Sequence, residues 1–166
     1  MTDSVVARRE ECGHVYEIDR DQDRLDLALI HNFLAHCSHW ARGVREDVLR
    51  RAIAHSLVFG LYRGDAQVGF ARVVSDEATF AYLTDVFVLP EERNHGLGQW
   101  LVETILADPR LQRLRRWLLV TRDAERLYRR CGFTDPSGDL AYLERFDPNP
   151  CGKIAAAPRE PALICG

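Results

Sequence analysis

Six consecutive residues, Arg93, Asn94, His95, Gly96, Leu97 and Gly98, lie between a β-rich run ending in Val88-Leu89-Pro90 and an apolar helical repeat that starts at Leu97. That order of parts suits a phosphate-bearing anion. A strand stopped by proline, a tight turn and a helix N-terminus aim several backbone N–H groups and the positive end of a helix dipole at one place. Glycine at 96 and 98 lets the main chain close on a diphosphate, and Arg93 adds a charged fork of donors. Two commoner phosphate patterns do not fit. The dinucleotide pattern Gly-x-Gly-x-x-Gly fails because position 101 is Leu, and no Gly-Lys-Ser/Thr occurs anywhere in the chain. Glycines also cap helices and ease helix packing, so this pair alone leaves both readings open.

Downstream, Ala124 to Phe133 reads as an amphipathic helix stopped by Gly132, with Phe133 packing back on the core. Alone, Tyr128 reads there as an ordinary half-buried tyrosine. Together the two segments are more specific. Arg-x-x-Gly-x-Gly after Val-x-Pro, followed by a helix-turn carrying Tyr128 and ending in Gly-Phe, resembles the GNAT (Gcn5-related N-acetyltransferase) superfamily over about residues 14 to 146.

The resemblance implies a single α/β (α+β) domain with a central mixed, mostly antiparallel sheet flanked by helices and splayed between strands 4 and 5. It implies acetyl-CoA as co-substrate, met by Val86, Phe87 and Val88 of the fourth strand and by Arg93, Asn94, His95, Gly96, Leu97, Gly98 and Gln99 of the turn and helix. Tyr128 becomes the general acid for the leaving thiolate, and the Val88 N–H the first candidate for the oxyanion. The link between the first two helices, with His39, Trp40 and Arg42, is expected to line the acceptor pocket, the alternative being a Trp40 that closes one end of the core. Two positions depart from the pattern. Asn94 stands where many members carry glycine, although asparagine tolerates a left-handed turn. Thr121 stands where some relatives place asparagine, which puts one cofactor or water contact in doubt.

Acyl transfer from a thioester to an amine needs a neutral nucleophile, help for the oxyanion and a proton for the thiolate, with no covalent enzyme intermediate. Asp85 is the carboxylate best placed to act as base through a water, or equally to pair with a nearby arginine. Tyr82, earlier on that strand, fits either a role in shaping the acceptor pocket or core packing. His36, Cys37 and His39 form one short cluster without a distant second pair, which is a poor zinc signature, and no metal is expected. The arginine-rich stretch from Arg110 to Arg130 suits cofactor phosphates or plain solvation, and a transfer-RNA-directed acetyltransferase toxin is a minority reading.

The 166 residues are 46% hydrophobic, enough for one domain with a real core. A net charge of -3 argues against a general nucleic-acid or anionic-membrane binder. Lys153 is the only lysine, which leaves a lysine-nucleophile mechanism poorly supported. Five cysteines without Cys-x-x-Cys spacing fit reduced thiols, and no run is apolar and long enough for a signal peptide or a membrane span. A cytoplasmic protein, monomer or homodimer, is expected. The function so implied is transfer of an acetyl group to a primary amine of a small molecule or amino acid, the alternative being a non-catalytic acyl-CoA-binding sensor or partner subunit.

The elements that must position these residues follow from periodicity. A first strand runs from His14 to Ile18, and helices lie at Leu25 to Leu34 and Val44 to His55. Strands at Leu57 to Tyr62 and Gln67 to Val74 are joined by Arg63-Gly64-Asp65-Ala66. The long strand Thr79 to Leu89 leads to the helix Leu97 to Leu106, then a strand at Trp117 to Thr121, a helix at Ala124 to Cys131 and a final strand at Leu140 to Phe146. The domain is expected over 1–147, followed by a loose proline-containing tail over 148–166.

Overall fold

The charged segment Val5–Glu11 is a β-strand, β1, and Cys12 and Gly13, both left-handed (φ 50° and 77°), turn it back into β2, His14–Asp19. Sequence periodicity did not reveal β1 because Arg8, Arg9, Glu10 and Glu11 mask its alternation. Those charges suit its place at the edge of the sheet, where they oppose pairing with a further chain. A computed structural model describes residues 4–136 and 141–147.

The sheet has the strand order β1-β2-β3-β4-β5-β6, with β3 at Leu57–Arg63, β4 at Ala66–Ser75, β5 at Phe80–Val88 and β6 at Arg116–Leu118. Every neighbouring pair is antiparallel except β5 and β6, so the sheet is mixed and mostly antiparallel, as expected. The extra strand moves the count by one, and the splay expected between the fourth and fifth strands lies between β5 and β6. Their parallel ladder holds three pairs, Phe80 with Arg116, Ala81 with Trp117 and Tyr82 with Leu118. Among the described residues, no strand lies beside the β6-facing edge of β5 from Leu83 to Val88.

Two helix pairs cover opposite faces. α3, Leu97–Leu106, and the short α4, Glu125–Arg130, lie on the face where Ile18, Phe59, Leu61, Val73, Ala81 and Leu83 pack under Leu97, Leu101, Val102 and Ile105. On the other face α1, Leu27–Asn32, and α2, Glu46–Ala54, cover Phe70 and Phe87 with Ile30, Phe33, Leu34, Leu49 and Ile53. Phe33 stacks on Phe87 with ring centroids 3.9 Å apart. α3 keeps its predicted ends because its stop signals are local. Gly96 stands at its N-cap, and Asp108-Pro109 begins the next turn.

Met1–Phe133 forms one compact unit, and Thr134–Gly166 a second. The strand expected at Leu140 to Phe146 is not formed among the described residues 141–147, none of which joins a ladder, and Leu140 lies outside them. Alternation in sequence needs a hydrogen-bonding partner to become a strand. The tail expected over 148–166 also lies outside the described residues. No helix among the described residues is long and apolar enough to cross a membrane.

Candidate active site

The turn after β5 is built from two left-handed residues, Asn94 (φ 66°) and Gly96 (φ 69°), as the tolerance of asparagine for that region allows. No side chain caps α3, so the amides of its first turn, from Leu97 onward, stay available to an anion. The two glycines serve different ends. Gly96 supplies the left-handed N-cap, whereas a Cβ at Gly98 would meet Leu127 Cδ1 at 3.2 Å. Glycine at 98 thus also allows the close approach of α3 to α4.

Polar contacts made by three side chains fix this turn. Glu92, just before it, has a carboxylate side chain only 3% exposed that accepts from Tyr16 Oη at 2.7 Å and pairs with Arg63 Nη1 at 2.7 Å, tying the turn to β2 and β3. Arg93 folds back, its Nε donating to the Val88 carbonyl at 3.0 Å. Arg9 of β1 reaches the turn from the far edge of the sheet. Its Nη2 lies 3.5 Å from the His95 carbonyl, and its guanidinium sits 6.0 Å over the Trp100 ring. Neither Glu92 nor Arg9 was singled out from sequence. His95 Nδ1 is buried without a hydrogen-bond partner among the described residues.

Hydrogen-bond alternation fixes which way Val88 points. The Leu89 N–H donates to the Val68 carbonyl at 2.9 Å, which makes Leu89 and Val68 a hydrogen-bonded pair. The neighbouring pair, Val88 with Gly69, is then the non-bonded kind, so both main-chain groups of Val88 face away from β4 and into the gap beside β5. The Arg93 bond to the Val88 carbonyl lies on that side.

Tyr128 projects from α4 and packs edge-on against Phe133 at 6.0 Å, as the helix-and-turn reading expects. Burial, followed by the charges of Asp123 and Cys131, pushes its phenol up to about 12. The hydroxyl is therefore a neutral donor across the physiological range. Leu127 beside it is the residue that Gly98 admits, which couples the anion turn to the helix of the tyrosine.

On the opposite face β5 carries a bulge. Arg72 pairs with Thr84 and Phe70 with Phe87, so Ala71 alone faces both Asp85 and Val86. Ala81 and Leu83 point into the α3-side core, and plain alternation would send Asp85 there too. The bulge, with Asp85 at φ 54°, turns its carboxylate to the other face. There Oδ2 accepts from Arg72 Nε at 2.5 Å and Oδ1 accepts from Trp40 Nε1 at 3.1 Å. Of the two roles expected for Asp85, the arginine pair is the one formed. Arg72, unmarked in the sequence, also reaches Ser56 Oγ at 3.2 Å.

Trp40 arrives there because α1 widens at its end. The Ser38 N–H bonds five residues back to the Phe33 carbonyl at 2.9 Å, a π-type turn. Buried Ser38 then donates its hydroxyl to the Leu34 carbonyl and accepts from the Ala41 N–H. His39 stands edge-on to the indole at 5.0 Å. Tyr82 lies on this same sheet face, opposite Val74. His39, Trp40, Tyr82 and Asp85 are thus on one side of the sheet, and the cradle and Tyr128 on the other. Among the described residues no group of three or more His, Cys, Asp or Glu converges as a metal site.

An acetyltransferase (GNAT) domain model matches residues 54–135, the stretch from the end of α2 through β3, the bulged β5, the cradle and α4. A crystal structure of a candidate acetyltransferase of the GNAT family from Xanthomonas campestris pv. campestris is 47% identical, with a TM-score of 0.77, and covers 80% of this chain and 94% of its own. A candidate acetyltransferase of Gibberella zeae is 34% identical over 110 residues, covering 54% of this chain; the chain spans 61% of that protein's length. A candidate acetyltransferase from Deinococcus radiodurans shares the fold alone, with a TM-score of 0.63 at 22% identity over 84% of this chain and 94% of its own. The cradle, the splay and the bulged strand thus sit in a chain nearly half identical to a GNAT protein along almost all of that protein's length, and this chain belongs to the GNAT acetyltransferase family.

Proposed function

We propose that the protein transfers an acetyl group from acetyl-CoA to a primary amine of a small molecule. The observation that carries this reading is the left-handed turn at the head of α3, which no side chain caps, set beside a β5 edge that pairs with no strand from Leu83 onward among the described residues. Such a site offers first-turn amides to a diphosphate and main-chain groups to the amides of an extended pantetheine arm. Acetyl-CoA, when bound, supplies the acetyl group as a thioester.

The chain's own groups then divide the work. The N-terminal turn of α3, with the Nη groups of Arg93, holds phosphate. Val88, with its N–H turned into the gap, donates to the oxygen that gains charge as the amine adds to the carbonyl. Tyr128 donates its phenolic proton or a hydrogen bond to the departing sulfur as the C–S bond breaks. Both oxygens of Asp85 are engaged, which supports an anchoring role for it in place of the expected base, and the amine's proton is left to water. The test pairs calorimetry of acetyl-CoA with a thiol-release assay across an amine panel. Binding with turnover is expected. Binding without thiol release from any amine would favour the non-catalytic acyl-CoA binder, and no binding would end both readings.

A further inference from the structure

The face that carries Asp85 is covered at one end and open at the other. Register sets three rows across it. Phe70 and Phe87 lie opposite each other under α1, Arg72 and Thr84 form the next row, and Val74 and Tyr82 the third. Tyr82 in turn faces Leu118 across the parallel ladder. Residues flanking this third row in sequence, Val73, Ala81, Leu83, Trp117 and Leu119, belong to the α3-side core. Val74, Tyr82 and Leu118 therefore share the opposite face, and none of them joins either core cluster. Val74 is 41% exposed and Trp40, at the edge of the covered part, 45% exposed.

An exposed indole is usually mobile, but this one is tied. Its Nε1 donates to a carboxylate that is itself 7% exposed and clamped by Arg72, and its link is pinned by Ser38. Side-chain ordering is thus complete before any ligand arrives. Beyond the Arg72–Thr84 row the shelf is apolar and aromatic. The Asp85 carboxylate beside it is already paired with Arg72, which weakens its hold on a second ammonium group of an acceptor.

Resting on the acetyltransferase reading, we infer that the acceptor is a primary amine carried on an aromatic or extended apolar frame, with Trp40 as the specificity-determining wall and Asp85 as the residue that positions it. The ring of such an acceptor lies on Trp40, Val74 and Tyr82, while its amine points along β5 to where the ladder opens after Tyr82. A polyamine would present charge to an apolar shelf. A small amino acid such as glycine would offer too little frame to cover it.

The experiment measures kcat/KM for 2-phenylethylamine, spermidine, glycine and methylamine, together with calorimetric binding of each in the presence of coenzyme A. We expect 2-phenylethylamine to exceed the other three by about tenfold or more, the scale of discrimination an apolar pocket gives. Trp40→Ala should raise its KM by about tenfold or more with kcat nearly unchanged, while Trp40→Phe recovers part of the loss. Acetyl-CoA affinity and melting temperature, read on the same variants, should stay near wild type. A preference for spermidine or glycine, or an unchanged 2-phenylethylamine KM in Trp40→Ala with turnover intact, overturns the inference alone. If no amine turns over, binding decides. Trp40-dependent binding of 2-phenylethylamine upholds the shelf while the acetyltransferase reading falls, and absence of binding by any amine overturns both.

Discussion

The cofactor side and the acceptor side of the proposed site are made of different material. On the cofactor side the groups that matter are main-chain N–H groups, set by two left-handed residues within three positions of each other and by the start of one helix. On the acceptor face they are side chains from four segments, joined through one bulge and one carboxylate. A backbone site tolerates change in its side chains as long as the turn survives. A network site loses part of its hold on a ligand when a member is removed. The consequence is that the two halves should answer separately to mutation, and each prediction below either divides them or shows that they are one.

The largest effect is expected on the chemical step. Tyr128→Phe should lower kcat by up to about a thousandfold while leaving acetyl-CoA affinity intact, read by steady-state kinetics and calorimetry. A rate equal to wild type would remove the phenol from the mechanism. Gly96→Val should weaken acetyl-CoA binding by about a hundredfold, because a β-branched residue resists φ 69°, with the KM of the amine little changed. Equal losses for cofactor and amine would show that the halves are coupled.

Asp85→Asn keeps the shape and the acceptor for Trp40 but leaves Arg72 without its charge partner. The side chains are 18% and 7% exposed, so we expect a loss of about 2 kcal/mol in denaturant unfolding, below that of a fully buried pair. Glu92→Gln retains an acceptor for Tyr16 and loses the charge opposite Arg63. It should cost about 1 kcal/mol and weaken acetyl-CoA severalfold with no change in amine KM. A change confined to the amine would place Glu92 with the wrong half.

The smallest effect is a matter of pH. The Tyr128 phenol stands at about 12 in the fold against an ordinary 10.0. Between those values the unfolded chain has released a proton that the native state keeps, so stability held below pH 10 declines as the pH rises through 12. Unfolding measured across that window should show a shallower decline for Tyr128→Phe than for wild type. In the assay range the phenol should add no alkaline limb to kcat/KM.

How far sequence reached into the site follows the same division. The cradle was legible because its signals are local. Pro90, Arg93, Gly96 and Asp108-Pro109 each act on their own few residues, and α3 begins and ends where those residues say. Tyr128 with Gly132-Phe133 was legible for the same reason. The acceptor face was only partly so. His39, Trp40, Tyr82 and Asp85 were candidates, but their arrangement depends on one extra residue in β5, which no alternation pattern reports, and on Arg72, which looks in sequence like any outward residue of a strand. Trp40 and Asp85 are 45 positions apart. β1 was hidden by its own edge charges. The packing role of Gly98 was not legible because its neighbour, Leu127, lies in another helix.

The brevity of the β5 and β6 ladder has a thermodynamic consequence. A strand edge that is open over six residues, Leu83 to Val88, is where a ligand's amides can add bonds that the unfolded chain cannot offer, and binding of that kind raises folding stability with the logarithm of ligand concentration. If acetyl-CoA is the ligand, as proposed, the folding stability of this protein would track the acyl-CoA pool around it, so that scarcity of the acyl donor would deplete the catalyst as well as the reaction.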